Sequence, residues 1–271
     1  MRTKTRPKII TAIFASMTLL LVPFVFTPAR SAEQPSLLYG TLPFSPLSQL
    51  AAFSLEAKRM RVIGKIGYPV SVPLAFCPPG GVPYTITNIF DPSEAQLATL
   101  NLGTGAATLV GSPLGQDLSI MGMTCSRDGT LYAIGQLDPS NPDYNSLYVI
   151  NRVSGLASPI GPTGVVDPSD ASGFSVFFMA LAFAPDGRLY GANVSALYQI
   201  DTATGHATKV VDFTGVTSVM GLAIDSGGNF YVCDFVSKSR IYAVDTTTGA
   251  ATPILDTGLS YVHSIAFKTP G

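Results

Sequence analysis

No feature of this chain constrains its fold more than a unit that recurs along it. LAFAPDGRLYGANVSALYQIDTATG, residues 181–205, is repeated column by column by MGLAIDSGGNFYVCDFVSKSRIYAVDTTTG, residues 220–249. MGMTCSRDGTLYAIGQLDPSNPDYNSLYVINRVSG, 121–155, is a third copy with a longer insert, and a weaker fourth runs from Val72 through PLAFCPPGG and AQLATLNLGTG to Gly105. A fixed period of this length is the mark of a fold built from stacked supersecondary units.

Each unit reads as four short strands a, b, c and d, here LAF, RLYGA, ALYQI and ATKVV, separated by turn residues such as PDG and DTATG. Short runs of β-branched and aromatic residues bounded by Gly, Pro and Asp are antiparallel hairpin signals. Strands a and c are apolar at nearly every position, so both faces of each four-stranded sheet need cover. A radial array of blades provides it, and the predicted fold is an all-β propeller. The chain opens with LLYGT (37–41), QLAAFSL (49–55) and RMRVIGKIG (59–67), which read as b, c and d without an a, and YVHSIAFKTPG (261–271) reads as an a alone. Joined, they complete a fifth blade and leave no long open edge. The 239 residues after Ala32 give five blades of about 48 residues each. A fragment of a six- or seven-bladed ring is the competing count.

Residues 1–32 have the layout of an export signal: four basic residues by Lys8, an apolar run from Ile9 to Phe26, then small residues at Thr27, Ala29, Ser31 and Ala32. The expected organisation is a signal over 1–32 and one propeller domain over 33–271, delivered to the periplasm or the exterior. The signal holds five of the 16 basic and none of the 17 acidic residues, so the remainder has a net charge of −6. That disfavours nucleic acid or anionic lipid as a partner. No later apolar run is long enough for a spanning helix, and stable membrane insertion is not expected. Cys77, Cys125 and Cys233 lack metal-ligand spacing. Cys125 shares a column with Phe183, Ile224 and Phe267 and reads as a small buried hydrophobe, with a Cys77–Cys125 bridge between adjacent a strands left open.

The columns L-A-F-x-P-D-G-x-L-Y and L-Y-x-I-D-x-x-T-G at 181–205 resemble the secreted bacterial β-propellers related to the NHL, YVTN and quinoprotein-like repeat groups. The resemblance covers nearly everything beyond Ser36 and implies fold rather than activity, because such propellers host lactonases, lyases, quinone enzymes and binding modules.

Many conspicuous residues belong to the repeat. Asn101, Asn151, Asp201 and Asp245 open the c-d turns, and Asp128 and Asp186 brace the a-b turns beside Gly129 and Gly187. All six read as turn caps rather than calcium ligands. The departures from the repeat carry more information. Insertions fall in the b-c and d-a connections, at 42–48, 89–95, 137–145, 161–174 and 234–239, which emerge on one face of an up-and-down blade. These loops are aromatic and Asp-bearing, so a binding face is expected there.

The start of each a strand defines the channel mouth: Met121, Met179 and Met220 share a column with Val72 and His263. The column holds no carboxylate, unlike a calcium-dependent lactonase mouth, and clustered methionines usually pack rather than bind copper. No metal or cofactor is expected. With only His206 and His263, and no G-x-S-x-G elbow, nucleophilic catalysis has little to rest on. The expected function is a secreted, monomeric binding or scaffold module for a small molecule, glycan or protein. Its candidate contacts are Met121, Met179, Met220, His263, Tyr261, Asp117, Asp143, Tyr144, Phe174 and Asp234. The alternative is a metal-assisted lactonase or lyase using loop carboxylates, Asp91 and Glu94 among them, with His263 as ligand or general base.

Overall fold

The computed structural model describes residues 37–44, 47–115, 118–136, 145–166 and 176–268. They form five four-stranded antiparallel sheets. Blade 1 comprises β1 (Leu38–Leu42), β2 (Gln49–Ser54), β3 (Arg59–Lys65) and, from the other end of the chain, β20 (Ile265–Phe267). Blade 2 follows as β4 (Ala75–Cys77), β5 (Val82–Thr87), β6 (Gln96–Leu100) and β7 (Ala107–Pro113). Blade 3 is β8 (Ser119–Cys125), β9 (Leu131–Gln136), β10 (Ser146–Ile150) and β11 (Ala157–Pro162). Blade 4 is β12 (Ala180–Phe183), β13 (Leu189–Ala192), β14 (Ala196–Ile200) and β15 (Ala207–Asp212). Blade 5 is β16 (Val219–Ile224), β17 (Phe230–Asp234), β18 (Arg240–Val244) and β19 (Ala251–Asp256).

The expected closure is present. Strand β20 pairs antiparallel with β1, Tyr39 opposite Ala266, and His263 N–H donates to Thr41 C=O at 2.9 Å. The chain is a five-bladed ring rather than an arc of a larger one. Burial falls from the axis outward. Inner strands β4 and β16 are almost wholly buried, whereas outer strands β3, β7 and β15 are mostly half-buried or exposed. The apolar columns of strands a and c thus fill the spaces between blades.

Glycine and other small residues set how tightly the blades approach. A Cβ built on Gly122 would stand 2.8 Å from the Cα of Ala180 on the next blade, and one on Gly221 would run into the His263 carbonyl and stand 2.6 Å from the Cys233 sulfur. Inner strands therefore pack nearly backbone to backbone. At the periphery a second device recurs: the first residue of an outer strand donates to a carbonyl at the end of the previous blade. The pairs are Ala107 to Ile66, Ala157 to Leu114, Ala207 to Thr163 and Ala251 to Thr214, at 2.8–3.4 Å.

The cysteine expectation needs correction. Cys125 is half-buried and bonded to Cys77, with the Cα atoms 5.1 Å apart, so β4 and β8 are tied across the blade 2–3 boundary. That spacing is ordinary for a disulfide. A column of hydrophobes hides such a bond, because each sulfur also occupies an apolar position. Cys233 is free and buried, and burial pushes its thiol pKa well up.

Candidate functional site

The antiparallel order places every b-c and d-a connection at one end of the blades, as the loop lengths implied. These loops are stitched to each other by backbone hydrogen bonds: Ile89 to Val70, Val219 to Val194, Phe235 to Ser218 and Tyr261 to Val236. Among the described residues of the d-a connections, three non-glycine residues adopt positive φ, Val70 at 41°, Ser218 at 54° and Tyr261 at 58°. Each lies two places before a residue of the methionine column. For a valine or a tyrosine this is a costly conformation, held only where the surroundings dictate it.

Val72, Met121, Met179 and Met220 fall in one buried cluster, though not strictly at strand starts. Met121 is the third residue of β8 and Met220 the second of β16, while Met179, Val72 and His263 precede β12, β4 and β20. All five are buried, between 1% and 8% exposed. Their partners reveal the axis. Hydrophobic side chains of blades 4 and 5 otherwise pack with their own neighbours, yet Met179 and Met220 join the cluster of blades 2 and 3 that contains Val72 and Met121. Phe177, Val194 and Phe235 pack against this group from the mouth side.

His263 sits at the edge of the same group, its ring edge-to-face with Phe235 at 5.6 Å. It is 3% exposed and its Nδ1 has no hydrogen-bond partner. Burial drives its pKa down to about 3, so the imidazole is neutral across ordinary pH. A general base works best with a pKa near the operating pH, and this one is far below it.

Above the collar lies an aromatic rim that the sequence reading only partly recovered. Phe44, Phe235 and Tyr261 contact one another with ring centroids 5.1–6.4 Å apart. Phe44 is 57% and Tyr261 41% exposed. Tyr261 was singled out; Phe44 and Phe235 were missed. Both lie in b-c connections already marked as insertions, and that was the available signal.

Asp234 takes a different place from the one expected of a loop carboxylate. Its Oδ1 accepts from the Arg240 N–H at 2.6 Å and its Oδ2 from the Tyr242 hydroxyl at 2.8 Å, closing the b-c loop of blade 5. Asn193, at the matching position of blade 4, closes its loop through the Ser195 and Ala196 amides. Asp91 likewise accepts from Ser93 within its own turn. Asp117, Asp143, Tyr144 and Phe174 lie outside the described residues. Among the described residues no three His, Cys, Asp or Glu side chains converge as a metal site.

The turn caps are as read. Asn101, Asn151, Asp201 and Asp245 each accept from two backbone amides of their own turns, and the amides of Thr247 and Thr248 hold the Asp245 pKa below its usual value. Asp128 accepts from Ser126 and Thr130, and Asp186 from Arg188. Two shallow grooves lie at this opposite end. One of about 330 Å³ separates the a-b turns of blades 4 and 5, between Asp186, Arg188 and Gly228, and one of about 180 Å³ lies beside Glu56 and Asp225. Three of their four charged groups are already engaged: Arg188 pairs with Asp186 at 2.5 Å, and Asp225 accepts from Asn229 and Tyr231, while Glu56 stands exposed. Neither groove offers a convergent constellation.

No protein-family model matches the sequence, and no curated protein matches it. Solved structures do. A protein of unknown function from Bacteroides thetaiotaomicron VPI-5482 superposes with a TM-score of 0.58 at 14% identity, over 88% of this chain and 63% of that one. The chain therefore spans less than two thirds of that relative's length. A chain of a nidogen/laminin complex gives 0.55 at 16% identity, over 86% and 98%. A gluconolactonase from Xanthomonas campestris gives 0.49 at 14% identity, over 85% and 79%. By fold, this chain is a β-propeller. At such identities the likeness extends to architecture and no further. Among the described residues of this propeller, no helix is long and apolar enough to cross a membrane.

Proposed function

We propose that the protein is a recognition module that takes its ligand on the loop face, at the aromatic rim of the channel mouth. The observation that carries this reading is the triad Phe44, Phe235 and Tyr261: three touching rings, two of them exposed, beside a buried apolar collar. Exposed aromatic groups of this kind supply large, rigid contact area at little entropic cost. The positive φ of Tyr261, the hydrogen bond its N–H donates to the Val236 carbonyl, and its ring contacts with Phe44 and Phe235 hold that ring in place before any ligand arrives. The ligand class is one that presents an apolar ring face, as a pyranose or an aromatic group does. Export belongs to the same reading, supported by the N-terminal layout and by the Cys77–Cys125 bond, which suits an oxidising compartment. A metal-assisted hydrolase would need carboxylates gathered around His263; Asp91 and Asp234 are committed to their own loops, and Glu94 is exposed to solvent whereas His263 is buried.

The test is a glycan and small-molecule array probed with the full chain, followed by Phe44→Ala and Tyr261→Ser. The expected outcome is at least about a tenfold loss of affinity for the hits, equivalent to 1.4 kcal/mol, with melting temperature unchanged. Hits that bind both variants as tightly as the parent would count against the rim.

A further inference from the structure

The collar beneath the rim raises a separate question. Methionine side chains from blades 3, 4 and 5 meet in one buried group at the axis, and an imidazole from the strand that closes blade 1 borders it through Phe235. One feature exceeds what packing requires, and a second brings the groups close. A channel plug needs only hydrocarbon, yet a nine-tenths-buried His263 keeps Nδ1 without a partner, a state that native interiors seldom tolerate without a use. The positions immediately after the collar are small, Pro73, Gly122, Ala180, Gly221 and Ser264, and the contacts of Gly122 with Ala180 and of Gly221 with His263 draw the inner strands together there.

We propose that Met121, Met179, Met220 and His263 form a site for a soft monovalent metal ion, copper(I) in the first place, at the axis of the ring. Thioether sulfur and imidazole nitrogen are the donors that select this ion over hard cations. All four groups are neutral, so the site carries no carboxylate to offset a second positive charge, and an ion of charge +1 is the one such a buried site can take. Phe177 and Phe235 pack against the same group, and aromatic rings beside a site favour a cation. The proposal stands apart from the ligand of the rim: Phe44→Ala should bind the metal like the parent chain.

Silver(I) is the first probe, because it shares the preference for sulfur and needs no reductant, which spares the Cys77–Cys125 bond. The full chain carrying Cys233→Ala, to remove the free thiol, is titrated calorimetrically and melted with and without one equivalent. One ion per chain and a rise in Tm of about 5 °C or more are expected. Copper(I) is then loaded anaerobically against bicinchoninate, and X-ray absorption should show sulfur together with nitrogen neighbours. Replacing Met121, Met179 and Met220 together by Leu conserves volume and should abolish binding; should that variant not fold, Met121→Leu and Met220→Leu separately should each weaken it at least tenfold. His263→Leu should do the same, and Met60→Leu, on β3, should leave it unchanged. Failure of both ions to bind, or binding that survives the loss of the collar methionines, overturns the site.

Discussion

At the scale of single residues, the turns show how one conformational demand divides into two energetic cases. Gly155 and Gly187 both hold left-handed backbone, at φ 79° and 86°. A Cβ on Gly187 would meet nothing within 4 Å, whereas one on Gly155 would stand 2.6 Å from the Ser112 carbonyl oxygen of the preceding blade. Gly187→Ala should therefore cost only the backbone penalty of about 1–2 kcal/mol. Gly155→Ala should cost about 1–3 kcal/mol more, from overpacking against β7. Denaturant unfolding of the two variants measures the difference, and equal losses would mean that the turn does not press on its neighbour. Asp234 teaches a related lesson about reading loops. Its aspartate suggested a ligand group, but it closes its loop as Asn193 does in the same column of blade 4, and a carboxylate that accepts from a backbone amide and a tyrosine has little left to offer.

At the scale of elements, strands and turns were legible because each is specified locally. Alternation, Gly-bearing turns and the D/N-x-x-S/T-G columns act within a few residues, and the pairing of β12 to β15 follows them directly. Blade 1 shows the same turn made by other means. Its c-d turn has no T-G: Ser54 Oγ accepts the Ala57 amide at 3.1 Å, Lys58 takes φ 51°, and the Lys58 ammonium donates to the Ile254 carbonyl on blade 5 at 2.6 Å. The disulfide also acts at this scale. It closes a loop spanning 48 residues between β4 and β8, and restricting the unfolded chain that far stabilises by about 4 kcal/mol on the chain-entropy account. Cys77→Ala with Cys125→Ala should lower Tm by roughly 10 °C. An unchanged melt, or three titratable thiols in the denatured oxidised protein instead of one, would show that the bond is not made.

At the scale of the whole molecule, the site was less legible than the ring. The sequence column put three methionines and a histidine at one level, but which of them touch depends on how closely five blades lean together. Phe44, Phe235 and Tyr261 come from three distant segments, so no local pattern announces them. Closure itself can be tested. Deleting residues 261–271 removes buried Ile265 and His263 together with the bonds that β20 and its approach make to Thr41 and Leu74. The expected cost is several kcal/mol, at about 25 cal/mol per Å² of lost apolar burial plus about 1 kcal/mol for each lost hydrogen bond. A truncated chain that melts like the full one would refute it.

That same pairing of β20 with β1 imposes an order in time. Roughly 220 residues separate the two strands, and at the usual pace of synthesis β1 is complete about 10–45 s before its partner exists. For that interval the first sheet has an unguarded edge, open to any other extended chain nearby. The ring cannot mature from its beginning onward; its first blade is the last to be finished.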